Sequence, residues 1–360
     1  MHTAHGYAVR SSSAPLVPHT FSRRDLRPND VRIDILFCGV CHSDIHTVQG
    51  EWDGTVYTHG TLYPCIPGHE IVGKVHSVGA DVTSFRLGDL VAVGTMVDFC
   101  KECDNCKAGL EQYCVRYATW TYNAPDRITG ENTLGGYSDS IVVREDFVLR
   151  VNHSEKDLAA VAPLLCAGVT MWSPLRHWSA GPGKRVGVVG IGGLGHMGIK
   201  LAHALGAQVV AFTTSESKRQ DALALGADEV VVSRNQDEMA AHAASLDLII
   251  NTVAAKHDLN PFLNLLRLDG TMTLVGIPAE NHPSPAVTGL VGLRRSLSGS
   301  VVGGIAETQD LLDFCAKHNV LADIEITPIQ KIQSAFDRVI ASDIKYRFVI
   351  DMSSLQQQPA

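Results

Sequence analysis

The chain has 360 residues, a length that predicts two domains at roughly 150 residues each. Its 30 Lys and Arg against 38 Asp and Glu give a net charge of −8, which argues against nucleic acid as a partner. With 45% hydrophobic residues the chain can bury large cores, so disorder on a large scale is excluded. No apolar run is long enough to span a bilayer, and residues 1–6 lack the order of a signal peptide, so we expect a cytoplasmic protein without a membrane partner.

Residues 1 to about 150 predict antiparallel β-structure. Short runs of β-forming residues occur at 31–35, 71–75 and 140–143, with Gly, Pro and Asp between them. Runs of this length, separated by turn-forming residues, are typical of antiparallel strands.

From about 160 to 300 the pattern changes to alternating strands and helices. Two helices are predicted at 194–205 and 217–225, and a glycine follows each of them. Strands are predicted at 186–189, 209–212, 230–232, 248–250 and 272–275. Alternation at this spacing predicts a parallel, doubly wound sheet.

The segment after 300 is too short to form a core of its own. It predicts a helix at 308–318, a strand at 324–326, a helix at 332–341 and a strand at 346–350. We expect this segment to pack back onto the first domain, with residues 356–360 frayed.

The chain has nine cysteines, although a protein of this length needs no disulfides to hold its core. We therefore expect thiols that are kept for chemistry or for binding metal. Four of them, with the spacing C-x2-C-x2-C-x7-C, are Cys100, Cys103, Cys106 and Cys114. Four thiolates on one loop predict a structural zinc lobe at 98–116, since closed tetrahedral S4 sites are how structural zinc binds. An iron–sulfur cluster or redox thiols are the alternatives for this lobe.

A second, dispersed set of metal-ligating residues is Cys41, His69 and Cys166. Together they would form a Cys2His zinc site with an open fourth position, the ligand set of alcohol dehydrogenase. Each residue alone has a plainer interpretation, because a single His is usually a satisfied polar residue and Cys166 lies in an apolar run. An open zinc could polarise a carbonyl while a nicotinamide delivers hydride.

A glycine-rich segment predicts a dinucleotide site. The segment 190–195 fits G-x-G-x-x-G, follows a predicted strand and opens a predicted helix. Glycines let the backbone approach a pyrophosphate, and the helix N-terminus offers free N–H groups. The residues assigned to this site are Gly190, Gly192, Gly193, Leu194 and Gly195. The alternative is a tight structural turn.

The end of the second predicted strand distinguishes NADP(H) from NAD. Here the chain reads Thr213-Thr214-Ser215-Glu216-Ser217-Lys218-Arg219. Hydroxyl and cationic donors suit a 2′-phosphate, which a carboxylate would repel, so the segment favours NADP(H). The alternative is that Glu216 binds the ribose and the two cations are solvated.

The motifs together resemble those of one family over nearly the whole chain. They are CGVCHSD at 38–44, PGHEIVG at 67–73, the four-cysteine lobe, WTYN at 120–123, LCAGVT at 165–170, GIGGLGH at 190–196 and YRFVI at 346–350. The chain resembles the zinc-dependent medium-chain dehydrogenases/reductases, in the cinnamyl-alcohol-dehydrogenase branch, and more closely its bacterial broad-specificity NADP-dependent aldehyde reductases.

The resemblance implies an α/β architecture of two domains. A GroES-like, mainly antiparallel β catalytic domain would comprise 1–160 and 305–360, and a doubly wound Rossmann domain that binds NADP(H) would comprise 161–304. It also implies two Zn²⁺ per subunit and a homodimer that pairs Rossmann-domain edges, here at 297–302. The plainer interpretation of 297–302 is a buried strand within one subunit.

The resemblance also implies roles for single residues around the zinc. Cys41, His69 and Cys166 would bind the catalytic metal, Glu70 would approach it when the fourth ligand exchanges, and Asp44 would orient His69. Ser43 would contact the substrate oxygen and pass its proton through the cofactor ribose to His46.

Further residues are assigned to the cofactor and the substrate. Trp120 would line the substrate pocket, although ordinary aromatic core is an alternative for it, and Trp52 is placed with it. The remaining assignments to the cofactor are Thr170, Thr213, Thr214, Ser215, Lys218, Arg219, Thr252 and Val275.

The loop between Cys41 and His69 departs from the family because it is longer. A repeated Gly-Thr-x-Tyr segment lies in it at 54–63. We hypothesise that Tyr57, His59 and Tyr63 narrow the substrate mouth.

The sequence thus predicts an NADP(H)-dependent zinc enzyme that interconverts small aldehydes and primary alcohols, aromatic or aliphatic. One alternative is an NAD-linked polyol or secondary-alcohol dehydrogenase. The other is a non-catalytic, redox-responsive NADPH-binding protein that uses Cys38, Cys65 or Cys315 as sensors.

Overall fold

The computed structural model describes residues 1–53 and 60–357, and the chain divides into two compact units. Unit 1 comprises Met1–Cys166 and Gly303–Ala360, and unit 2 comprises Ala167–Val302. Within the described ranges no single helix is long and apolar enough to cross a membrane, although one bent pair, 155–165 with 167–177, passes by length and composition.

The first part of unit 1 is mainly β-structure. Its strands are β1 (His2–Ala8), β2 (Val17–Arg23), β3 (Asp30–Gly39), β4 (Ile71–Val78), β5 (Leu90–Val93), β6 (Met96–Asp98), β7 (Thr119–Trp120), β8 (Ser140–Arg144) and β9 (Leu149–Arg150). Its helices are α1 (His42–Val48), α2 (Asp104–Lys107) and α3 (Leu158–Val161). The predicted strands at 31–35, 71–75 and 140–143 form the centres of β3, β4 and β8. The β1–β2 hairpin was not predicted, because its strands carry His, Thr, Ser and a Pro where apolar residues would signal a strand.

Unit 2 alternates strands and helices. Its helices are α4 (Ala167–His177), α5 (Gly193–Ala204), α6 (Arg219–Ala224), α7 (Gln236–Ala241), α8 (Asn260–Leu263) and α9 (Val287–Val291). Its strands are β10 (Arg185–Val189), β11 (Gln208–Thr213), β12 (Glu229–Val232), β13 (Leu246–Asn251), β14 (Leu266–Leu274) and β15 (Ser296–Gly299). They form one parallel sheet in the order β12-β11-β10-β13-β14-β15, which confirms the predicted doubly wound sheet.

The last part of the chain returns to unit 1. It forms α10 (Ile305–His318), β16 (Ile324–Pro328), α11 (Ile332–Ile340) and β17 (Arg347–Asp351). Strand β17 pairs antiparallel with β3, so the C-terminal segment completes a seven-stranded sheet in the order β16-β17-β3-β4-β5-β9, with β8 also paired to β3.

Each unit has its own apolar core. In unit 1, Ile33, Ile71 and Ile350 from three adjacent strands are completely buried. In unit 2, the inward-facing residues of the parallel strands, such as Val210 and Ile249, are likewise completely buried. These rigid sheets hold the loops that carry the candidate site residues.

Candidate metal centres and cofactor site

Cys41, His69, Glu70 and Cys166 come together in one buried cluster of unit 1. Their ligand atoms all lie within 4.8 Å of one another, and the two Sγ atoms are 3.8 Å apart. A disulfide would need roughly 2.05 Å. Tetrahedral zinc with Zn–S bonds of roughly 2.3 Å sets its sulfur ligands about 3.8 Å apart. The predicted ligands therefore fit zinc in distance and in donor type.

The local fold positions each ligand. Cys41 caps the N-terminus of α1, His69 lies two residues before the start of β4, and Cys166 follows a short 3-10 turn at Ala162–Leu165. Gly68, beside His69, has a φ of +104°, and a Cβ there would lie 2.6 Å from the ring of Tyr137. Only glycine fits this position without strain.

Asp44 orients the cluster. Its carboxylate is completely buried and accepts four hydrogen bonds: Oδ1 from Gly68 N–H and His69 Nδ1, each at 3.1 Å, and Oδ2 from Cys41 N–H at 2.9 Å and the Tyr137 hydroxyl at 3.2 Å. Because Nδ1 of His69 is held by Asp44, Nε2 faces the thiols as the free ligand atom. Tyr137 was not predicted from the sequence, since it lies 93 residues from Asp44.

The cluster favours a thiolate at Cys41 and a thiol at Cys166. The hydrogen bond from the Cys166 thiol, opposed by burial, holds the pKa of Cys41 well below its usual range. The same hydrogen bond, together with burial, raises the pKa of the Cys166 thiol. Burial lowers the pKa of His69, but the charge and hydrogen bond of Asp44 outweigh it, and the net pKa is raised. A thiolate is the form of Cys that binds zinc.

Glu70 points one free carboxylate oxygen into this region. Its Oε1 accepts a charged hydrogen bond from Arg347, whereas Oε2 is buried and has no hydrogen-bond partner in the part of the chain that the structure describes. A Cβ at Gly39 would lie 1.9 Å from Oε2, so glycine is required there. Burial raises the pKa of Glu70 to about 7 against the opposing charge of Arg347. Sequence reasoning missed Arg347, although a charged residue in an otherwise apolar strand was a usable signal.

Helix α1 carries the predicted proton-transfer residues. Ser43 and His46 are three residues apart and therefore share one face of α1. His46 Nδ1 pairs with Glu51, and its ring stacks on Trp52 with centroids 5.0 Å apart. Sequence reasoning also missed Glu51. Its position five residues after His46 was the signal that could have indicated this pairing.

The predicted substrate residues have different surroundings. Trp52 contacts His46, and Trp120 on β7 is half-buried rather than enclosed in the core. Tyr122, with no predicted role, stacks on His69 at 5.7 Å between centroids. Tyr57 and His59 lie outside the described residues, and the Tyr63 hydroxyl donates to the Val48 carbonyl at 3.0 Å.

The four cysteines of the predicted lobe form a second cluster, with all ligand atoms within 4.8 Å of one another. Cys106 Sγ lies 3.8 Å from Cys100 Sγ and 3.3 Å from Cys103 Sγ, distances too long for a disulfide. The backbone N–H groups of Glu102 and Cys103 lower the pKa of Cys100 to about 6. Together with Cys114 these residues make a closed S4 set, which fits structural zinc.

The glycine fingerprint of unit 2 has the geometry that a pyrophosphate site needs. Gly190 ends β10 with a φ of +91°, and Gly192 caps α5, whose first residues are Gly193 and Leu194. A Cβ at Gly195 would lie 1.9 Å from the Gly190 carbonyl oxygen. No side chain fits there, so glycine lets α5 pack closely on the end of β10, whereas a Cβ at Gly192, which caps α5, would meet nothing within 4 Å.

The end of β11 places hydroxyl groups and Lys218 near this fingerprint. Thr213 is buried, Thr214 is exposed, and Ser215 donates its N–H to Thr213 Oγ1 at 3.2 Å. Lys218 Nζ donates to the Ile191 carbonyl within the fingerprint at 3.2 Å.

Arg219, which was assigned to the cofactor, has a different environment. Its guanidinium binds both carboxylate oxygens of Glu216, at 2.6 and 2.9 Å, and also Glu238 at 3.2 Å. These ion pairs neutralise the guanidinium charge at the edge of β12, which accounts for its different environment. We therefore propose that Arg219, although assigned to the cofactor from the sequence, is held by these ion pairs outside the cofactor contacts. The same pairing occupies Glu216, the alternative ribose ligand.

The other predicted cofactor residues lie at the carboxyl ends of strands or on a helix of unit 2. Thr252 Oγ1 donates to the Val189 carbonyl at 2.8 Å, and Val275 N–H donates to the Asn251 carbonyl at 3.0 Å. Thr170 is buried on α4. In doubly wound sheets, ligands bind at the carboxyl ends of the strands.

The remaining cysteines are poor sensors. Cys38, Cys65 and Cys315 are completely buried. Burial raises the pKa of Cys65 to about 12 and also raises the pKa of Cys38 well above its usual value. Neither thiol is accessible as a thiolate, which argues against the redox-responsive alternative.

Comparisons with known proteins agree with this geometry. The chain matches the family "Alcohol dehydrogenase GroES-like domain" over residues 27–153 and the family "Zinc-binding dehydrogenase" over 193–317. It is 60% identical to the aldehyde reductase YahK of Escherichia coli over 345 residues, 96% of this chain and 97% of that protein.

Two solved structures are similar over almost their full length. A cinnamyl alcohol dehydrogenase from Sorghum bicolor matches with a TM-score of 0.93 and 43% identity, covering 100% of both chains. A cinnamyl alcohol dehydrogenase from Helicobacter pylori, complexed with NADP(H), matches with a TM-score of 0.89 and 41% identity, covering 98% of both. The expected combination of a GroES-like domain and a Rossmann fold is thereby confirmed.

Proposed function

The chain belongs to the zinc-dependent medium-chain dehydrogenases/reductases, in their cinnamyl-alcohol-dehydrogenase branch, and we propose that it interconverts aldehydes and primary alcohols with NADP(H). The observation that carries this proposal is the buried cluster of Cys41, His69 and Cys166. A binding protein would need no metal site of this open type.

In this proposal, Cys41, His69 and Cys166 hold the catalytic zinc, and unit 1 is the catalytic unit. A zinc ion bound there would polarise a carbonyl as a Lewis acid, and NADPH would supply the hydride. Asp44 fixes the ring of His69, and Arg347 holds one oxygen of Glu70 by a charged hydrogen bond while the other oxygen has no hydrogen-bond partner among the described residues.

We propose that α1 moves the proton. The Ser43 hydroxyl can both donate and accept, and His46 on the same face can exchange a proton with solvent. The carboxylate of Glu51 holds Nδ1 of His46, which leaves Nε2 to accept the proton. Trp52 limits the rotation of the ring by stacking on it.

We assign NADP(H) to unit 2. The fingerprint glycines and the N-terminus of α5 would hold the pyrophosphate, and Thr214, Ser215 and Lys218 would hold the 2′-phosphate. Glu216, which could repel a phosphate, is neutralised by Arg219. In a reducing cytoplasm, which the nine free cysteines favour, reduction of the aldehyde is the expected direction.

The proposal is tested by following NADPH oxidation with a panel of aromatic and aliphatic aldehydes, in parallel with NADH. We expect turnover with NADPH and little with NADH. Replacing Lys218 by Ala should raise the KM for NADPH about tenfold and leave the KM for NADH almost unchanged, because only the charged contact to the 2′-phosphate is lost. Arg219→Ala is the matched control and should lower stability without changing this ratio. Equal use of both cofactors would instead support the NAD-linked alternative.

We also propose a homodimer formed through unit 2. Strand β15 pairs with β14 on one side, and within the described residues no strand pairs with its other side. Val287 and Val291, four residues apart on α9, are 71% and 74% exposed. An open strand edge beside exposed apolar side chains suits a two-fold contact between copies.

Val291→Glu should therefore shift the protein from dimer to monomer in sedimentation at micromolar concentration, because the contact would bury two unpaired carboxylates. Ile340→Glu, at an exposed apolar position of unit 1, is the control and should leave the dimer intact. A wild-type protein that sediments as a monomer would contradict the proposal.

A further inference from the structure

His257, in unit 2, takes part in a closed set of hydrogen bonds that neither the zinc site nor the predicted cofactor contacts require. The segment 252–259 connects β13 to α8 at the carboxyl end of the sheet. Asn251, the last residue of β13, is almost completely buried and lies at the centre of this set.

The partners fix the orientation of both side chains. Asn251 Oδ1 accepts from Val253 N–H at 3.1 Å, so its Nδ2 group is the donor to His257 Nε2 at 3.0 Å. His257 Nδ1 lies 2.7 Å from the Ala255 carbonyl oxygen and must carry the proton. The network is therefore complete only with a neutral His257 protonated at Nδ1.

A second loop is joined to the first through His282. The backbone N–H of His257 donates to His282 Nδ1 at 3.3 Å, and the two rings meet edge-on with centroids 4.6 Å apart. His282 belongs to the loop that follows β14. The network thus links the loops after β13 and β14, which are neighbouring strands.

The braced loop lies against the glycine fingerprint. A Cβ at Gly190 would meet Thr252 Oγ1 at 2.8 Å and Val253 Cγ2 at 3.0 Å. On the other side, a Cβ at Gly276 would meet the Val253 backbone at 2.8 Å. Thr252 and Val253 are therefore in close contact with two backbone segments, through their side chains at Gly190 and through their backbone at Gly276, and glycine allows each close approach.

We propose that His257 and Asn251 are positioning residues for the cofactor. They hold Thr252 and Val253 packed against Gly190, so they support the fingerprint turn that would carry the dinucleotide, and they do not contact the reacting atoms. This inference rests on the proposed use of NADP(H). Without these hydrogen bonds, the loop loses the contacts at Val253 N–H and the Ala255 carbonyl and no longer supports Gly190 firmly, which weakens cofactor binding before it affects chemistry.

The test uses the full-length holoenzyme and measures the Kd for NADPH by fluorescence titration, together with kcat at saturating NADPH. His257→Phe keeps the ring volume and removes both side-chain hydrogen bonds, and should raise the Kd about tenfold with kcat changed less than about twofold. His257→Gln keeps an acceptor for Asn251 and should restore part of the affinity. Asn251→Ala should act like His257→Phe, and the double variant should be no weaker than either single one.

His242→Phe is the matched control, because His242 is a buried histidine of unit 2 that contacts Arg185 and Phe212 instead. It should leave the Kd for NADPH unchanged. If wild-type protein binds NADPH and His257→Phe binds it equally tightly, the inference is wrong. Multiplicative effects in the double variant, or a loss of kcat at unchanged Kd, would also overturn it. If wild-type protein does not bind NADPH, the proposed function fails instead.

Discussion

Replacing Cys166 by Ala should abolish aldehyde reduction and lower the zinc content from two ions per chain to one. The change removes one of the two thiolates of the buried cluster, so Cys41 and His69, with Glu70 paired to Arg347, cannot hold zinc tightly. Lewis-acid stabilisation is worth several kcal/mol, so kcat/KM should fall on the order of 10⁴-fold. The measurements are zinc by mass spectrometry and aldehyde-dependent NADPH oxidation.

The binding of NADPH separates this effect from a general loss of structure. The fingerprint and Lys218 belong to unit 2, so the variant should still bind NADPH with nearly wild-type affinity. Cys65→Ala is the matched control, since Cys65 is a completely buried cysteine of unit 1 outside both clusters. It should keep two zinc ions and most of the activity. A Cys166→Ala enzyme that retains substantial turnover would show that the cluster is not the catalytic site.

The four-cysteine cluster could be recognised in the sequence because its signal is local: its members span fifteen residues. A short spacing of this kind fixes which atoms can meet before any tertiary structure is known. Most of the parallel sheet was predictable for the same reason, since five of its six strands have their own apolar run, whereas β15 reads Ser-Leu-Ser-Gly. Cys41, His69 and Cys166 are dispersed along the chain, and grouping them depended on a known zinc ligand set.

The residues that sequence reasoning missed depend on distant contacts. Arg347 meets Glu70 across 277 residues of chain, and it does so because β17 pairs with β3, next to β4. No local pattern in the C-terminal strand indicates which carboxylate its arginine will face. Tyr137 likewise reaches Asp44 only through the packing of the first sheet.

The proposal that Arg219 lies outside the cofactor contacts also depends in part on a residue that is distant from it in the chain. The charge pattern after β11 correctly indicated a cationic segment, but charge alone does not say where a long side chain ends. Glu216 lies three residues before Arg219, and Glu238 reaches it from α7. Two carboxylates therefore hold this guanidinium, whereas Lys218 donates to the fingerprint backbone.

The four-cysteine lobe should stabilise more than its own loop. Within unit 1, Glu111 of the lobe accepts a hydrogen bond from Ile305 N–H at 3.1 Å, and Gln112 donates to Glu307 at 3.4 Å. Both contacts reach the first turn of α10, whose N–H groups have no partner within the helix. Folding of the lobe around its metal should therefore fix the start of α10 as well.

Cys106→Ala should accordingly remove the structural zinc and lower the free energy of unfolding by roughly 5 kcal/mol, a part of what structural zinc sites contribute. Hydrogen exchange at residues 305–308 should become faster, because the carboxylate of Glu111 is no longer held at the helix end. Cys315→Ala, at a completely buried position on α10, is the control. It should cost about 1 kcal/mol and keep both zinc ions and the slow exchange at 305–308. Purified wild-type protein that contains iron in place of this zinc would support the iron–sulfur alternative, and unchanged exchange in Cys106→Ala would show that the lobe does not hold α10.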